Sequence, residues 1–425
     1  MFNLHHRARN LADKLGAGLI TGAADDDPSG LATYSQAGAQ FGAGLLWTIV
    51  FTTPLMISIQ MVSARIGWFT GEGLAASIRR VMPTWFTAIL VALLVFANTL
   101  NISADIAAMG EALQLIIGGP THWHALAFGA LCTVLPLWLR FDAMVRVLKW
   151  LTLALLSYVA VVFMLHVRWD AVLLRTLVPH FERGGDYWMM VVAVLGTTIS
   201  PYLFFWQASQ EAEQRQRLDT SATADPTVAH TEMFAREHLS RIKLDTVVGM
   251  VFSNVIAFCV MLATALTLNQ HGITDIQTTR QAAEALRPLA GDFAFTLFAL
   301  GVIGTGMLAV PVLAASSAYA VADAFRWRSG LDRRLVEARG FFTVVAFGTV
   351  LGTLVDFTPL DPIRALVWSA VVNGVIAVPI MAVMMHLGMR RDILGEHTLG
   401  ARHQRLGWLA TLVMAVAVVA MLFTG

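Results

Sequence analysis

The residues best placed to do chemistry are three consecutive carboxylates, Asp25, Asp26 and Asp27, followed at once by Pro28, Ser29 and Gly30. They interrupt an otherwise apolar stretch near residues 16–41, and charges at bilayer depth are costly unless they face a cavity or one another. Pro28 removes a backbone donor and Gly30 admits non-helical dihedrals. The segment is therefore expected to unwind, turning freed carbonyls and carboxylates toward an aqueous cavity. A polar loop between two short interfacial helices fits less well, because residues 16–24 alone are too short to span. A second interruption runs Gly196, Thr197, Thr198, Ile199, Ser200, Pro201, Tyr202, again with a mid-span proline behind small hydroxyl residues.

Single polar residues inside apolar runs come next. Asp105 either supports a neighbouring site, as a residual proton or cation step, or is an acid satisfied by Asn98, Asn101 or a nearby hydroxyl. Asn373, just before Gly374 and ahead of the kink at Pro379, offers an oxygen to an ion or a water, or makes a packing hydrogen bond. Gln207 lies five residues past the second break and is placed at the outer vestibule, with Glu111 near the outer mouth. Arg339 reads as an inside-facing anchor, and His122 and His124 as markers of a helix boundary rather than a metal pair.

The elements that must hold these residues are transmembrane helices. Of 425 residues, 57% are hydrophobic and 13% charged, against about 25% charged in soluble domains. Crossing the hydrocarbon takes roughly 20 apolar residues. By that rule eleven spans lie near 16–41, 44–64, 85–117, 123–139, 147–167, 187–209, 245–268, 292–322, 340–356, 363–387 and 406–424. An inside N-terminus puts 23 of the 29 Lys and Arg on one side, including Arg79, Arg80, Arg140, Arg241 and the five arginines from Arg326 to Arg339. Positive charge favours the cytoplasm, so the N-terminus is expected inside and the C-terminus outside. The connection 210–243 is then a cytoplasmic loop, partly helical, whose charge run reads as solvated. Basic residues at the N-terminus are followed by acids rather than a cleavage site, so no removable signal is read. A net charge of +1 gives no basic excess for nucleic acid. Cys132 and Cys259 are isolated in apolar runs and make neither a disulfide framework nor a thiolate metal site.

The two interruptions open the first and sixth spans, the first members of two five-helix halves. An odd number per half gives them opposite topology, and broken helices at matching places in inverted repeats point to a transport site near the midplane. The expected fold is thus all-α and polytopic, a single transport domain over 1–425: spans 1–5 over about 16–167, spans 6–10 over about 187–387, and an extra helix at about 406–424. Asp25, Asp27 and Gly30 do not make an EF-hand, since Gln36 stands where its glutamate belongs. Gly301, Gly304 and Gly306 come after no strand and suit helix packing instead. An enzyme would need a nucleophile with a base, and no histidine partners the aspartates.

At these residues the chain resembles the Nramp family of divalent metal transporters. That family has an Asp-Pro-Gly-Asn motif in its first helix, where this chain reads Asp27-Pro28-Ser29-Gly30. The stretch just beyond it, Ala32-Thr33-Tyr34-Ser35-Gln36-Ala37-Gly38-Ala39-Gln40-Phe41-Gly42, is similar to the family's, as is LFALGVIGTG at 297–306. The resemblance implies an inverted-repeat fold of the amino acid–polyamine–organocation type, with metal bound between unwound helices one and six. The departures are specific. The motif asparagine falls on Gly30, Met-Pro-His becomes Ser200-Pro201-Tyr202, an alanine becomes Thr197, and Asp-Leu-Ala-Glu becomes Asp105-Ile106-Ala107-Ala108.

The lost methionine removes a soft ligand that favours transition ions. The lost glutamate and histidine belong to the family's proton route, and Ala108 cannot titrate, while Tyr202 has a reference pKa near 10. The pattern thus resembles the Nramp-related magnesium transporters. This resemblance implies a secondary transporter taking up magnesium, manganese or both by alternating access, with little or no proton coupling. Its metal residues would be Asp27, Gly30, Thr197, Ser200, Asp26 and Asn373, with Asp25, Asp105, Tyr202 and Gln207 along the path. An ordinary proton-coupled manganese or iron transporter and an amino acid carrier on the same fold are the alternatives; three aspartates would repel a substrate carboxylate. No resident cofactor, nucleic acid or obligate protein partner is expected. The expected setting is a prokaryotic inner membrane.

Overall fold

Helices that cross a bilayer must satisfy every backbone donor internally and hide polar side chains from lipid. The computed structural model describes residues 21–22, 24–138, 153–182, 184–221, 232–331, 333–355 and 362–424. Among the described residues the structure is helical with no strand. The principal helices are α1 (Pro28–Phe41), α2 (Leu46–Thr70), α3 (Thr84–Ile117), α4 (Thr121–Trp138), α5 (Leu156–Met164) and α6 (Gly185–Thr198). They continue with α7 (Pro201–Ser221), α8 (Glu232–Thr267), α9 (Ala294–Phe325), α10 (Arg339–Val355), α11 (Pro362–Gly388) and α12 (Ala401–Thr424).

Seven helical stretches among the described residues are long and apolar enough to cross a membrane, or eight if the pair Leu153–Met164 and Trp169–Leu177, bent by 120°, is one broken span. The count is lower than eleven for local reasons. Pro28–Thr70 joins the first two expected spans into one stretch. The fourth and ninth are the shorter helices α4 and α10, and the fifth is described only in its second half. Expected span residues 16–20, 23, 139, 147–152 and 356, and loop residues 222–231, lie outside the described residues.

The surface is apolar where lipid would touch it: Trp85, Trp138, Phe163, Trp368 and Phe423 are all exposed. Polar side chains go inside instead, with Asp27, Asn98, Asn101, Asp105, Gln207 and Asn373 all buried. This inversion of the soluble pattern is what a lipid solvent selects.

The expected solvated connection 210–243 needs correcting. Helix α7 runs on to Ser221 and α8 begins at Glu232. Glu211 is fully buried and pairs with Arg241 at 3.0 Å, while Arg241 also donates to Gln214 at 2.7 Å. Composition counts such charges as solvated, but a pair can hide them between two helices.

Both breaks have a local cause. Pro28 stands at the first position of α1, where a missing N–H costs nothing and the fixed φ suits a helix. Asp27 caps that helix, its Oδ1 accepting the Gly30 N–H at 2.6 Å. The chain therefore begins a new helix here instead of kinking an old one. In the sixth span α6 ends at Thr198, and Pro201 opens α7 after Ile199 and Ser200. Close packing keeps the breaks in place. A Cβ on Gly196 would lie 2.1 Å from the Ala370 carbonyl oxygen, and one on Gly38 would lie 2.2 Å from the Met261 carbonyl oxygen. Only glycine lets α6 approach α11, and α1 approach α8, so closely.

Candidate functional site

The two breaks meet at Gly30. A Cβ built there would lie 3.1 Å from Thr197 Oγ1 and 3.1 Å from the Asp25 carbonyl oxygen, so the first-span motif faces the end of α6 directly. Asp27, buried at this junction, uses both carboxylate oxygens: Oδ1 takes the Gly30 amide and Oδ2 takes Asn101 Nδ2 at 3.0 Å. Asn101 is held in turn by Ser369, whose Oγ lies 2.8 Å from Asn101 Oδ1. Ser29 closes the group, its hydroxyl 3.2 Å from that of Ser369 and 3.1 Å from the Leu366 carbonyl oxygen. Helices α1, α3 and α11 are thus tied together around one carboxylate.

On the sixth span, Ser200 Oγ donates back to the Gly196 and Thr197 carbonyls, each at 2.8 Å. The hydroxyl's lone pairs stay available as hard oxygen donors. Tyr202 donates to the Ala24 carbonyl at 2.8 Å, spanning from one break to the other, and its own carbonyl accepts Ser316 Oγ at 2.8 Å. Tyr34 and Thr198 make a second bridge, oxygen to oxygen at 3.2 Å.

The three aspartates do not converge. Asp25 and Asp26 turn to α8, where the Ser253 hydroxyl reaches Asp25 Oδ2 at 2.6 Å and Asp26 Oδ1 at 3.1 Å. Each keeps one buried oxygen without a hydrogen bond. Asp26 therefore lies on a different side of the break from Asp27. Among the described residues no group of three His, Cys, Asp or Glu side chains is arranged to hold a metal ion. Any ion at Asp27 would draw on hydroxyl, amide and backbone oxygens.

Asp105 is fully buried with both carboxylate oxygens unpartnered. It faces the Ser29 amide and the Asp27 carboxyl without a hydrogen bond of good geometry. Satisfaction by Asn98 or Asn101 does not occur, because Asn98 donates to Leu313 and Ser317, and Asn101 serves Asp27. Asn373 lies one turn beyond Ser369 on α11, buried, with its Oδ1 unpartnered. Gln207 is misplaced by the outer-vestibule reading. It sits fully buried on α7, which leads from the break toward the arginine-rich end, and is clamped between Gln60 at 2.5 Å and Thr246 at 3.0 Å. Glu111, at the opposite end, accepts from the Thr279 hydroxyl. His122 and His124 sit at the start of α4, and Arg339 at the start of α10.

Asn101, Ser369 and Ser253 were not singled out by sequence as site residues. Asn98, Asn101 and Asp105 do share a helix face by spacing, but spacing does not tell which neighbour each meets. Ser253 carries no signal that separates it from other serines.

The family model described as Natural resistance-associated macrophage protein-like, Nramp, matches residues 18–424. Two relatives, each named a divalent metal cation transporter MntH, are 26% identical to this chain. That of Verminephrobacter eiseniae aligns over 90% of this chain and 82% of its own length, and that of Deinococcus radiodurans over 97% and 89%. Among solved structures, the Eremococcus coleocola manganese transporter in complex with an aromatic bis-isothiourea substituted compound has a TM-score of 0.76 at 16% identity, covering 98% of this chain and 87% of its own. Mhp1, a nucleobase-cation-symport-1 family transporter in a closed conformation, has a TM-score of 0.57 at 14% identity, over 97% and 92%. The fold is the one they share, an inverted repeat that is all-helical among the described residues. With the family match running over almost the whole chain, the protein belongs to the Nramp family and is a multi-pass membrane transporter, not an enzyme.

Proposed function

We propose that the chain takes up divalent cations by alternating access, accepting magnesium and tolerating manganese, without moving protons. The observation that carries this is the make-up of the junction at Gly30. Asp27, the Thr197 and Ser200 hydroxyls and the Asp25 carbonyl are all oxygen donors, and the unpartnered Asn373 amide oxygen on α11 is proposed to join them. Oxygen suits magnesium and manganese, whereas thioether selects softer ions. Magnesium keeps several of its waters and needs only one or two carboxylates. Asp27 supplies the charge, and Gly30 lets the Thr197 hydroxyl and the Asp25 carbonyl come close to the first-span motif. The named relatives, divalent metal cation transporters, support the substrate class. An inside-negative potential would draw such an ion inward by about 4.6 kcal/mol per 100 mV, at 2.3 per charge.

Absence of coupling rests on what surrounds Asp27. Its closest donors are the Asn101 amide and the Gly30 N–H, the neighbouring Tyr202 hydroxyl is committed to the Ala24 carbonyl, and Ala108 stands where the resemblance supplies an acid. One observation favours the second reading, proton-coupled manganese transport: Asp105 is buried near Asp27 with both oxygens unpartnered.

The test is uptake into proteoliposomes under an inward gradient of magnesium, manganese or calcium, with a pH-sensitive dye trapped inside. Expected is magnesium and manganese flux without acidification, reduced at least 100-fold in Asp27→Ala. Acidification with manganese-only flux, abolished by Asp105→Asn, would establish the second reading. No metal flux from folded protein would reject both.

A further inference from the structure

At the arginine-rich end the structure holds two cavities that share a wall. One is a polar chamber of about 500 Å³ between residues 72–80, which follow α2 and include the short helix Leu74–Arg79, and helices α7 and α9; it is lined by Arg79, Arg80, Arg326, Arg328 and Arg333. Three carboxylates, Glu72, Glu213 and Asp323, line it too, and all three are engaged, Asp323 by the backbone amides of Ala75 and Ala76 and by the charge of Arg79. Glu72 pairs with Arg80 at 2.6 Å, and Glu213 accepts from Tyr319 at 2.6 Å and Arg217 at 3.4 Å. Five arginines against three acids leave the chamber positive. The other cavity is an apolar groove of about 650 Å³ on the outer face between α3, α9 and α10. Its floor is cut by small side chains, Thr84, Ala88, Ala92 and Thr99 among them, with Phe96 and Phe325 as walls. Arg79 belongs to both linings, its guanidinium fixed by a 2.7 Å bond to the Ala324 carbonyl.

A charged chamber and an apolar groove that meet at one arginine match the two halves of an amphiphile. Exposed Trp85 and Trp327, the latter stacked on Phe325 with ring centroids 5.1 Å apart, flank the join. Tryptophan concentrates at the headgroup level, which puts the groove within the hydrocarbon and the chamber among the headgroups. The positive-inside rule assigns this end to the cytoplasmic leaflet, where anionic lipids gather at basic pockets between helices.

We propose that this composite cavity is a specific site for an anionic phospholipid, its phosphate among Arg79, Arg326 and Arg328 and one acyl chain along α3. It stands apart from the cation junction and does not depend on which cation is carried. Because α7 leads from the Ser200 break to the chamber and α9 forms its opposite wall, the bound lipid braces the ends of two helices, one of which begins at that break.

Native mass spectrometry of the detergent-purified protein, titrated with phosphatidylglycerol or phosphatidylcholine of identical chains, tests this. One phosphatidylglycerol per protein should survive at concentrations where phosphatidylcholine is lost. Ala92→Phe fills the groove from an exposed position without altering charge, and Arg79→Gln removes the shared guanidinium. Each should weaken phosphatidylglycerol retention tenfold or more in monodisperse protein. Equal retention of the two lipids, or undiminished phosphatidylglycerol in Ala92→Phe, would overturn the proposal. So would displacement of the lipid by glycerol phosphate at equal concentration, since the groove would then contribute nothing.

Discussion

Asp27 does two jobs with one carboxylate, capping α1 and presenting the main negative charge where the breaks meet. Opposite it, Ser200 offers a hydroxyl where the family resemblance supplies a thioether. If that hydroxyl sets the preference for hard ions, Ser200→Met should move selectivity toward manganese and cadmium by about tenfold, roughly 1.4 kcal/mol. Competition of unlabelled ions against labelled manganese in proteoliposomes reads this directly, and unchanged ratios would place selectivity elsewhere. Residue types were the legible part of this site: carboxylates, proline and glycine inside an apolar run mark a helix broken around a polar cavity. Partners were not legible. Asn101 reads from spacing as company for Asp105, yet α11 brings Ser369 beside it and its amide turns to Asp27. Asp26 reads as a ligand beside Asp27, yet Ser253 draws it to α8.

Among elements, the helices that break were visible because Pro28 and Pro201 each begin a helix rather than interrupt one. What sequence did not reveal was the reach of α7 and α8 beyond the expected loop boundary. Their polar composition looks solvated, but Glu211 and Arg241 bury their charges against each other. Breaking a buried pair leaves an uncompensated charge and costs about 3–5 kcal/mol, whereas replacing both partners by apolar groups is often neutral. Arg241→Ala should therefore lower the melting temperature in detergent sharply, and Glu211→Met with Arg241→Met together should restore most of it. A double variant as unstable as the single would mean the pair is not coupled in this way.

For the molecule as a whole, hydropathy and length told the class at once, since bilayer thickness fixes helix length. They did not tell how the spans pack. That depends on glycines such as Gly38 and Gly196, whose contacts are with residues more than 150 positions away. The same packing joins the ion junction to the moving parts. Both oxygens of Asp27 are already taken by N–H donors, one of them the amide that starts α1. If the proposed cation is held at Asp27, it draws on oxygens that each already accept one N–H and weakens those bonds by withdrawing charge. On that proposal occupancy would work as a clutch: loading would slacken the grip on the first turn of α1, and release would let it re-engage. Hydrogen–deuterium exchange at the Gly30 amide should accordingly quicken when magnesium binds and slow again on its removal, so the ion reports its presence through the backbone it loosens.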